Sequence, residues 1–274
     1  MEKSSRKCTM GVFEKKSCYV IAGASRGLGR SMAINFAKKA RRESVMILLS
    51  RDMKALKEVE TEIKSSCQDV KVVVSGFDQG DLDEKKFNNI FENIFKESNL
   101  SIDNFEQAVI VHNAGTLGDN SKYVKDLVNV SELNTHFGVN VTGNILLNSA
   151  CLKFFTQEKF AHRYVINISS LTAIKAFKSF SLYCTVKAAR DMFYKVMTEE
   201  EPTIRVLSYA PGPCETDMQI KCRENTSDPE VKQMFESLYK EGNVLECDAS
   251  IQKLVQILET DTFVSGAHID YYDV

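Results

Sequence analysis

The segment CYVIAGASRGLG, from Cys18 to Gly29, runs from a short apolar stretch straight into a glycine-rich turn. The residues after the turn have helical spacing, with Leu28, Met32 and Phe36 on one face. Gly23 allows a tight turn, and Gly27 and Gly29 allow backbone and ligand to approach closely. The N-terminus of the following helix offers unpaired N–H groups to a pyrophosphate. In this context the glycines predict a dinucleotide-binding loop that includes Ser25, Arg26 and Leu28.

The same alternation of apolar bursts and helical stretches continues along the chain. Seven strands are predicted, at 18–22, 45–49, 70–74, 108–111, 164–168, 204–209 and 267–269. Strands that are apolar throughout and separated by helices favour a mainly parallel, doubly wound α/β sheet of the Rossmann type, with helices on both faces. One domain is expected over residues 17–274, after a loose tail over residues 1–16. The interval from Pro211 to Asn243 is expected to be irregular and lid-like, although a plain surface excursion remains an alternative.

Composition excludes several classes of protein. The 274 residues carry a net charge of −2, so no strong field favours nucleic acid or an anionic membrane. No apolar stretch reaches the length of a membrane span, and the N-terminus lacks a secretory pattern. Eight cysteines without a C-x-x-C pair indicate reduced thiols, and the scattered histidines predict no metal site. We therefore expect a cytoplasmic protein.

Arginines near the predicted loop bear on which dinucleotide binds. NAD-specific folds place an acidic residue at the end of the second strand, whereas here that strand ends Leu49-Ser50-Arg51. Arg51 and Arg26 could pair with a 2′-phosphate, which favours NADP(H) over NAD. Asp52 would repel that phosphate if its side chain pointed inward, and both arginines could instead face solvent.

Polar residues at later strand ends complete a candidate catalytic group. Asn113-Ala114-Gly115 follows the fourth strand and Ser170 follows the fifth. Tyr183 and Lys187 come next, one turn apart on a predicted helix. Because the ends of parallel strands share one edge, these residues and the glycine loop can meet in one crevice.

These motifs, in this order and spacing, resemble the short-chain dehydrogenase/reductase family over nearly the whole chain. The resemblance implies that Tyr183 protonates a carbonyl oxygen during hydride transfer and that Lys187 lowers the pKa of its phenol. Ser170 would hold the same oxygen, and Asn140 would support a proton relay to solvent. It also implies cofactor contacts from Tyr183, Lys187, Asn113, Ala114, Gly115, Asp78 at the adenine, Pro211 and Gly212 at the nicotinamide, and Thr216 and Met218 over the carboxamide.

Four further segments resemble the pterin-reducing members of this family, namely residues 113–119, 183–192, 209–218 and 265–273. That resemblance implies NADPH-dependent reduction of side-chain carbonyls of sepiapterin and of 6-pyruvoyl-tetrahydropterin, the route to tetrahydrobiopterin. Asp270 would accept the paired N–H donors of the pterin ring, while Ser170 and Tyr183 would contact the carbonyl. An aspartate at a strand end or dimer surface is the structural alternative.

Some features stay open at this level. His112 replaces the first Asn of the family's Asn-Asn-Ala-Gly, and we interpret it as a core residue rather than a catalytic one. Cys184 and Cys214 are expected to pack as small apolar groups. The resemblance implies a homodimer. The rival functions are a broad carbonyl reductase, for which Asp270 is dispensable, and a non-catalytic NADPH-binding scaffold.

Overall fold

Seven strands form one sheet in the computed structural model, which describes residues 11–273. The strands are β1 Ser17–Ala22, β2 Val45–Ser50, β3 Lys71–Gly76, β4 Gln107–His112, β5 His162–Ile168, β6 Ile204–Ala210 and β7 Ala267–Asp270. They lie in the order β3-β2-β1-β4-β5-β6-β7, and all neighbouring pairs are parallel. The predicted doubly wound sheet is confirmed. Its direction of winding reverses between β1 and β4, where such sheets open a crevice at their carboxyl edge.

Helices cover both faces of this sheet, as its apolar strands require. In the described part of the chain they are α1 Gly27–Lys39, α2 Met53–Ser66, α3 Glu84–Glu97, α4 Val130–Phe137, α5 Gly143–Phe154, α6 Ser181–Glu200, α7 Asp217–Asn225, α8 Pro229–Lys240 and α9 Cys247–Thr260. One core lies under α1, α2 and α9, and the other under α3, α5 and α6. Over residues 11–273, no helix has both the length and the apolar character needed to cross a membrane.

The start of the described chain differs from the expected loose tail. Val12 and Phe13 are buried, and the Val12 N–H donates to the Leu258 carbonyl oxygen at 3.2 Å. The Phe13 ring also packs edge-on against Phe36 of α1 at 5.3 Å. The prediction was therefore wrong for residues 11–16, because two buried apolar side chains anchor this segment against α1 and α9. The earlier part of the predicted tail lies outside the described residues.

The predicted irregular interval after β6 is also different in the structure. It contains α7 and α8, joined by a short turn. Asp228 caps α8 by accepting the Val231 N–H at 3.1 Å, and Pro229 stands at the first helical position, as such helix starts favour. The many charged residues of this interval form the outer faces of helices, which the composition alone did not distinguish from a loop.

His112 lies in the core, as the sequence interpretation proposed. Its ring is fully buried, and Nε2 is 3.2 Å from Oδ1 of Asn148. Burial, reinforced by the nearby Arg190 charge, lowers the pKa of His112 from 6.5 to about 3. The imidazole is therefore neutral in the folded protein at physiological pH.

This neutral histidine should make the fold sensitive to acid. Below about pH 6.5 the unfolded chain binds a proton at His112 and the folded chain does not, so stability falls as the pH falls from 7 to 5. We expect His112→Asn to reduce that loss by about 2 kcal/mol. Urea unfolding at both pH values measures it, and His162→Asn, at an exposed histidine whose pKa is also lowered, should reduce the loss less. An unchanged loss in His112→Asn would contradict the assignment.

Candidate active site

The glycine loop between β1 and α1 is held in a conformation that needs its glycines. Gly23 and Gly27 have positive φ angles of 75° and 52°, which side chains disfavour. A Cβ on Gly29 would overlap the Gly23 carbonyl oxygen, so α1 reaches the end of β1 only because this residue has no side chain. The loop thereby presents the N-terminus of α1 to the open edge of the sheet.

A cleft of about 520 Å³ opens beside this loop. Most of the predicted cofactor residues line it, namely Gly23, Ser25, Arg26, Gly27, Leu28, Arg51, Asp78, Asn113, Ala114, Gly115, Thr216 and Met218. Gly29 lies behind the loop. The remaining predicted cofactor residues, Tyr183, Lys187, Pro211 and Gly212, are outside the cleft lining.

The cleft also contains residues that the sequence did not single out, including Ser50, Phe77, Gln79, Thr116 and Val139. The hydroxyls of Ser50 and Ser25 are 2.8 Å apart, which joins the end of β2 to the glycine loop. Gln79 donates to the Val139 carbonyl oxygen at 2.7 Å and is itself buried. Gln79 directly follows Asp78, so its position next to a predicted site residue was the signal available.

Each predicted phosphate-binding arginine faces a carboxylate. Arg26 is 2.6 Å from Asp217, and Arg51 is 4.0 Å from Asp78. The arginine side chains are 76% and 68% exposed, so these pairs are weak and a phosphate could replace them. Asp52, the possible source of repulsion, accepts the Ala55 N–H at 3.0 Å and caps α2. Its carboxylate is thereby engaged by the helix.

Two asparagines brace the far wall of the cleft. Asn113 donates from Nδ2 to the Gly23 carbonyl oxygen at 2.9 Å. Asn140 lies in a π-helical turn, Gly138–Thr142, between α4 and α5, a local irregularity that often accompanies functional sites. Its Oδ1 accepts the Thr116 N–H at 2.9 Å, and its Nδ2 donates to the His136 carbonyl oxygen at 2.9 Å. Both side chains are therefore fixed in orientation.

Tyr183 and Lys187 lie one turn apart on the buried face of α6, as predicted. The Lys187 ammonium donates to the Ile168 carbonyl oxygen, at the end of β5, at 2.7 Å and stands 5.4 Å from the centre of the Tyr183 ring. Leu117, Phe180, Cys222 and Val231 cluster around Tyr183, so α7 and α8 cover this side chain.

Burial dominates the electrostatics of this pair. It raises the pKa of Tyr183, with a further rise from Cys222, while the charge of Arg190 lowers it. Burial also lowers the pKa of Lys187 well below its ordinary value, and Arg190 adds to that effect. The sequence interpretation assigned to Lys187 the charge that lowers the phenol pKa, but here its own charged form is disfavoured.

Ser170 stands at the end of β5, on the same sheet edge as the cleft. Its Oγ accepts the Thr172 N–H at 3.2 Å. This contact positions the oxygen and leaves the hydroxyl proton available for another acceptor.

Asp270 is the last residue of β7 and pairs with Ala210 on β6. Since β6 lies between β5 and β7, roughly 10 Å separates the Ser170 and Asp270 strands. Asp270 is half-buried, and its Oδ1 accepts the Tyr272 N–H at 3.0 Å. It therefore shares the functional edge with Ser170 but lies outside the cleft lining.

The cysteines beside the site are packing residues. Cys214 is buried, and burial raises its pKa to about 12, which keeps the thiol protonated. Burial raises the pKa of the half-buried Cys184 as well. Neither has the lowered pKa of a nucleophile.

Comparisons with known proteins agree with this architecture. The family model described as short chain dehydrogenase matches residues 17–227. The solved structure of the KRED1-Pglu enzyme has a TM-score of 0.75 and 23% identity, covering 92% of this chain and all of the other. At that identity the likeness concerns the fold.

Characterised relatives are closer in sequence. Sepiapterin reductase of Meriones unguiculatus is 40% identical over 255 residues, covering 93% of this chain and 95% of that protein. Sepiapterin reductase of Mus musculus is 38% identical over 255 residues, covering 93% and 96%. Each alignment spans nearly the full length of both chains.

Proposed function

This chain belongs to the short-chain dehydrogenase/reductase family, and we propose that it reduces side-chain carbonyl groups of pterins with NADPH. Membership makes it an oxidoreductase. The proposal rests on one observation above all. Lys187, one turn from Tyr183 on α6, donates to the Ile168 carbonyl oxygen two residues before Ser170, in a chain 40% identical to a sepiapterin reductase.

The cleft suits a nicotinamide dinucleotide. Because Gly29 has no Cβ, α1 lies close to the end of β1, and its N-terminus points toward the position of a pyrophosphate. The bound dinucleotide would supply the hydride. Arg26 and Arg51 would exchange their carboxylate partners for a 2′-phosphate, which is a stronger and better-matched acceptor for guanidinium groups. Asp52 lines the cleft and caps α2 through the Ala55 N–H, a contact that partly offsets its negative charge.

Ser170 and Tyr183 act on the substrate carbonyl. The Ser170 hydroxyl donates a hydrogen bond to the oxygen and holds it in place. Tyr183 then gives its phenolic proton to the same oxygen as negative charge develops there. Burial raises the pKa of Tyr183, so the phenol carries its proton at neutral pH.

Lys187 and Asn140 restore that proton. The lowered pKa of Lys187 makes its ammonium a better proton donor than an exposed lysine, so it can return a proton to the phenolate. Asn140, fixed through Thr116 and His136, supports a water-mediated path from Lys187 to solvent.

Asp270 supplies the preference for pterins. A pterin presents an exocyclic amine and a neighbouring ring N–H, and a carboxylate can accept both. Asp270 uses one oxygen for the Tyr272 N–H and retains capacity for further donors. Its place two strands from Ser170 leaves room for a ring between the anchor and the reacting carbonyl.

Homodimer formation stays a prediction from the family resemblance. Met192 and Val196, one turn apart on α6, are 60% and 45% exposed and could supply apolar contacts between two copies.

The central test is NADPH oxidation by the purified protein with sepiapterin, beside a simple dicarbonyl and with NADH as control. We expect turnover of sepiapterin with NADPH and much weaker turnover with NADH. Tyr183→Phe should bind NADPH yet lose at least a hundredfold in kcat, because no acid remains. Turnover of the dicarbonyl alone would favour a broad carbonyl reductase. Tight NADPH binding without turnover of any carbonyl would favour a scaffold.

The pterin anchor is tested by Asp270→Ala. Loss of a hydrogen bond to a charged group costs about 1.5 to 3 kcal/mol, so kcat/KM for sepiapterin should fall roughly 10- to 150-fold. NADPH affinity and dicarbonyl turnover should change little. Asp273→Ala is the matched control, since its carboxylate accepts the Asp270 N–H at 2.9 Å and shares the same turn. Equal losses in both variants would assign the effect to the turn.

Cofactor preference is tested by Arg51→Ala. Removing a guanidinium from the 2′-phosphate should raise the Kd for NADPH about tenfold or more, with NADH binding unchanged. Fluorescence titration measures both. Arg42→Ala, which removes another exposed arginine, paired with Asp69 at 3.0 Å, provides the control. A parallel weakening of NADPH and NADH binding would remove Arg51 from phosphate recognition.

A further inference from the structure

The edge strand β7 carries His268 and Asp270 on one of its two faces. Successive side chains of a strand point to opposite faces, and Ile269, which lies between them, packs against the core under α1, α2 and α9. His268 and Asp270 therefore lie on the other face of the sheet, which α6 helps to cover. Because α6 also carries Tyr183, the proposed anchor and the proposed acid share one side of the sheet.

One side-chain contact joins this strand directly to α6. Nδ1 of His268 is 2.6 Å from Oδ2 of Asp191, and the two side chains are 17% and 15% exposed. Within residues 11–273, Nε2 of His268 has no hydrogen-bond partner, so the contact with Asp191 is the one that orients the imidazole. The hydrogen bond to Asp191 raises the pKa of His268, and the carboxylates of Asp270 and Asp273 add to the rise, although burial opposes it.

The carboxylate of Asp191 is itself held in place by the sheet. Its Oδ1 accepts from Nδ2 of Asn167 at 2.8 Å, and the same amide donates to Oγ of Ser208 at 3.1 Å. Asn167, Ser208 and His268 are paired neighbours on β5, β6 and β7. Asp191 thus binds the first and the last member of this row, and its position is fixed by β5 as well as by α6.

The spacing along α6 connects this row to the residues proposed to handle the proton. Tyr183, Lys187 and Asp191 follow one another at intervals of four, so they form one stripe along the helix. By contrast, β7 pairs with β6 alone, and its four residues are only half-buried. Its position therefore depends more on side-chain contacts than the position of an inner strand does.

We propose that His268 is a positioning residue for pterin selectivity, whose contact with Asp191 ties β7 to α6 and holds the Asp270 carboxylate at a fixed distance from Tyr183. This inference rests on the proposed function, in which Asp270 accepts the paired N–H donors of the pterin ring. A carboxylate that accepts two donors is sensitive to displacement, because hydrogen bonds weaken when donor and acceptor lose their alignment. Small carbonyl substrates without the ring make no use of the anchor, so the tie affects pterins alone.

The test is a double-variant cycle on His268 and Asp270. In the wild-type background, His268→Ala should raise KM for sepiapterin roughly 5- to 10-fold, with little change in kcat, in NADPH affinity or in turnover of a simple dicarbonyl. In the Asp270→Ala background, the same substitution should change KM by less than about twofold, because no anchor remains to be positioned. An unchanged KM in the first background, or equal losses in both, would overturn the inference.

Two further variants complete this experiment. His162→Ala is the matched control, because it removes a histidine at the opposite end of the strands, at the start of β5, and it should leave KM for sepiapterin unchanged. Should His268→Ala fail to fold, Asp191→Asn takes its place in the cycle, since it removes the charge and keeps the shape of the side chain. An unchanged KM in Asp191→Asn would then overturn the inference.

Hydrogen exchange separates this inference from the proposed function, because it needs no turnover. In His268→Ala, the amides of residues 265–273 should exchange faster, whereas those of β3, at the other edge of the sheet, should exchange as in the wild type. Wild-type exchange over residues 265–273 in a folded His268→Ala would overturn the inference even in a protein that reduces pterins. Faster exchange there, in a protein that reduces no pterin, would support the tie between β7 and α6 and refute only the proposed function.

Discussion

One hydrogen bond, from the Asn113 side-chain amide to the Gly23 carbonyl oxygen, forms where the sheet reverses its winding. It joins the ends of β1 and β4, and it forms where Gly29 brings α1 against the same carbonyl. A side chain at Gly29 would push α1 away and separate the two strand ends. The cleft and the orientation of the helix N-terminus depend on this close approach, because both are built on the loop that follows β1.

Proton handling depends on a balance between burial and charge. Residues of α7 and α8 pack over Tyr183 and shield it from water, which strengthens the electrostatic interactions of its phenol. The same burial opposes ionisation of both Tyr183 and Lys187. Arg190, buried on the same face of α6, keeps its charge under desolvation. Arg190 donates to the carbonyl oxygens of His112 and Ala114, the two residues that flank Asn113. The buried charge of Arg190 and the position of Asn113 at the cleft therefore depend on the same hydrogen bonds.

Two departures from expectation and the neutral state of His112 share a cause. Residues 11–16 were expected to be loose, yet Val12 finds a partner on α9, which follows far along the chain. The charged interval after β6 was expected to be irregular, yet its apolar residues meet Tyr183 and Phe180 from another element. His112 was interpreted as a core residue, and its neutral state came from burial and from Arg190. In each case the deciding contact lies far away in sequence.

Local patterns were sufficient for much of this protein. Apolar runs, helical spacing and the glycines of the first turn determined the parallel α/β sheet, because periodicity and backbone freedom are properties of neighbouring residues. The strand ends predicted Asn113 and Ser170 as site residues, and the four-residue helical spacing predicted Tyr183 and Lys187. Only the tertiary structure decided that Gln79 and Val139 line the cleft, that Asp52 caps α2 and that Arg190 binds the ends of two strands. Arg190 reaches carbonyl oxygens 76 and 78 residues away, and desolvation depends on everything that packs around a group.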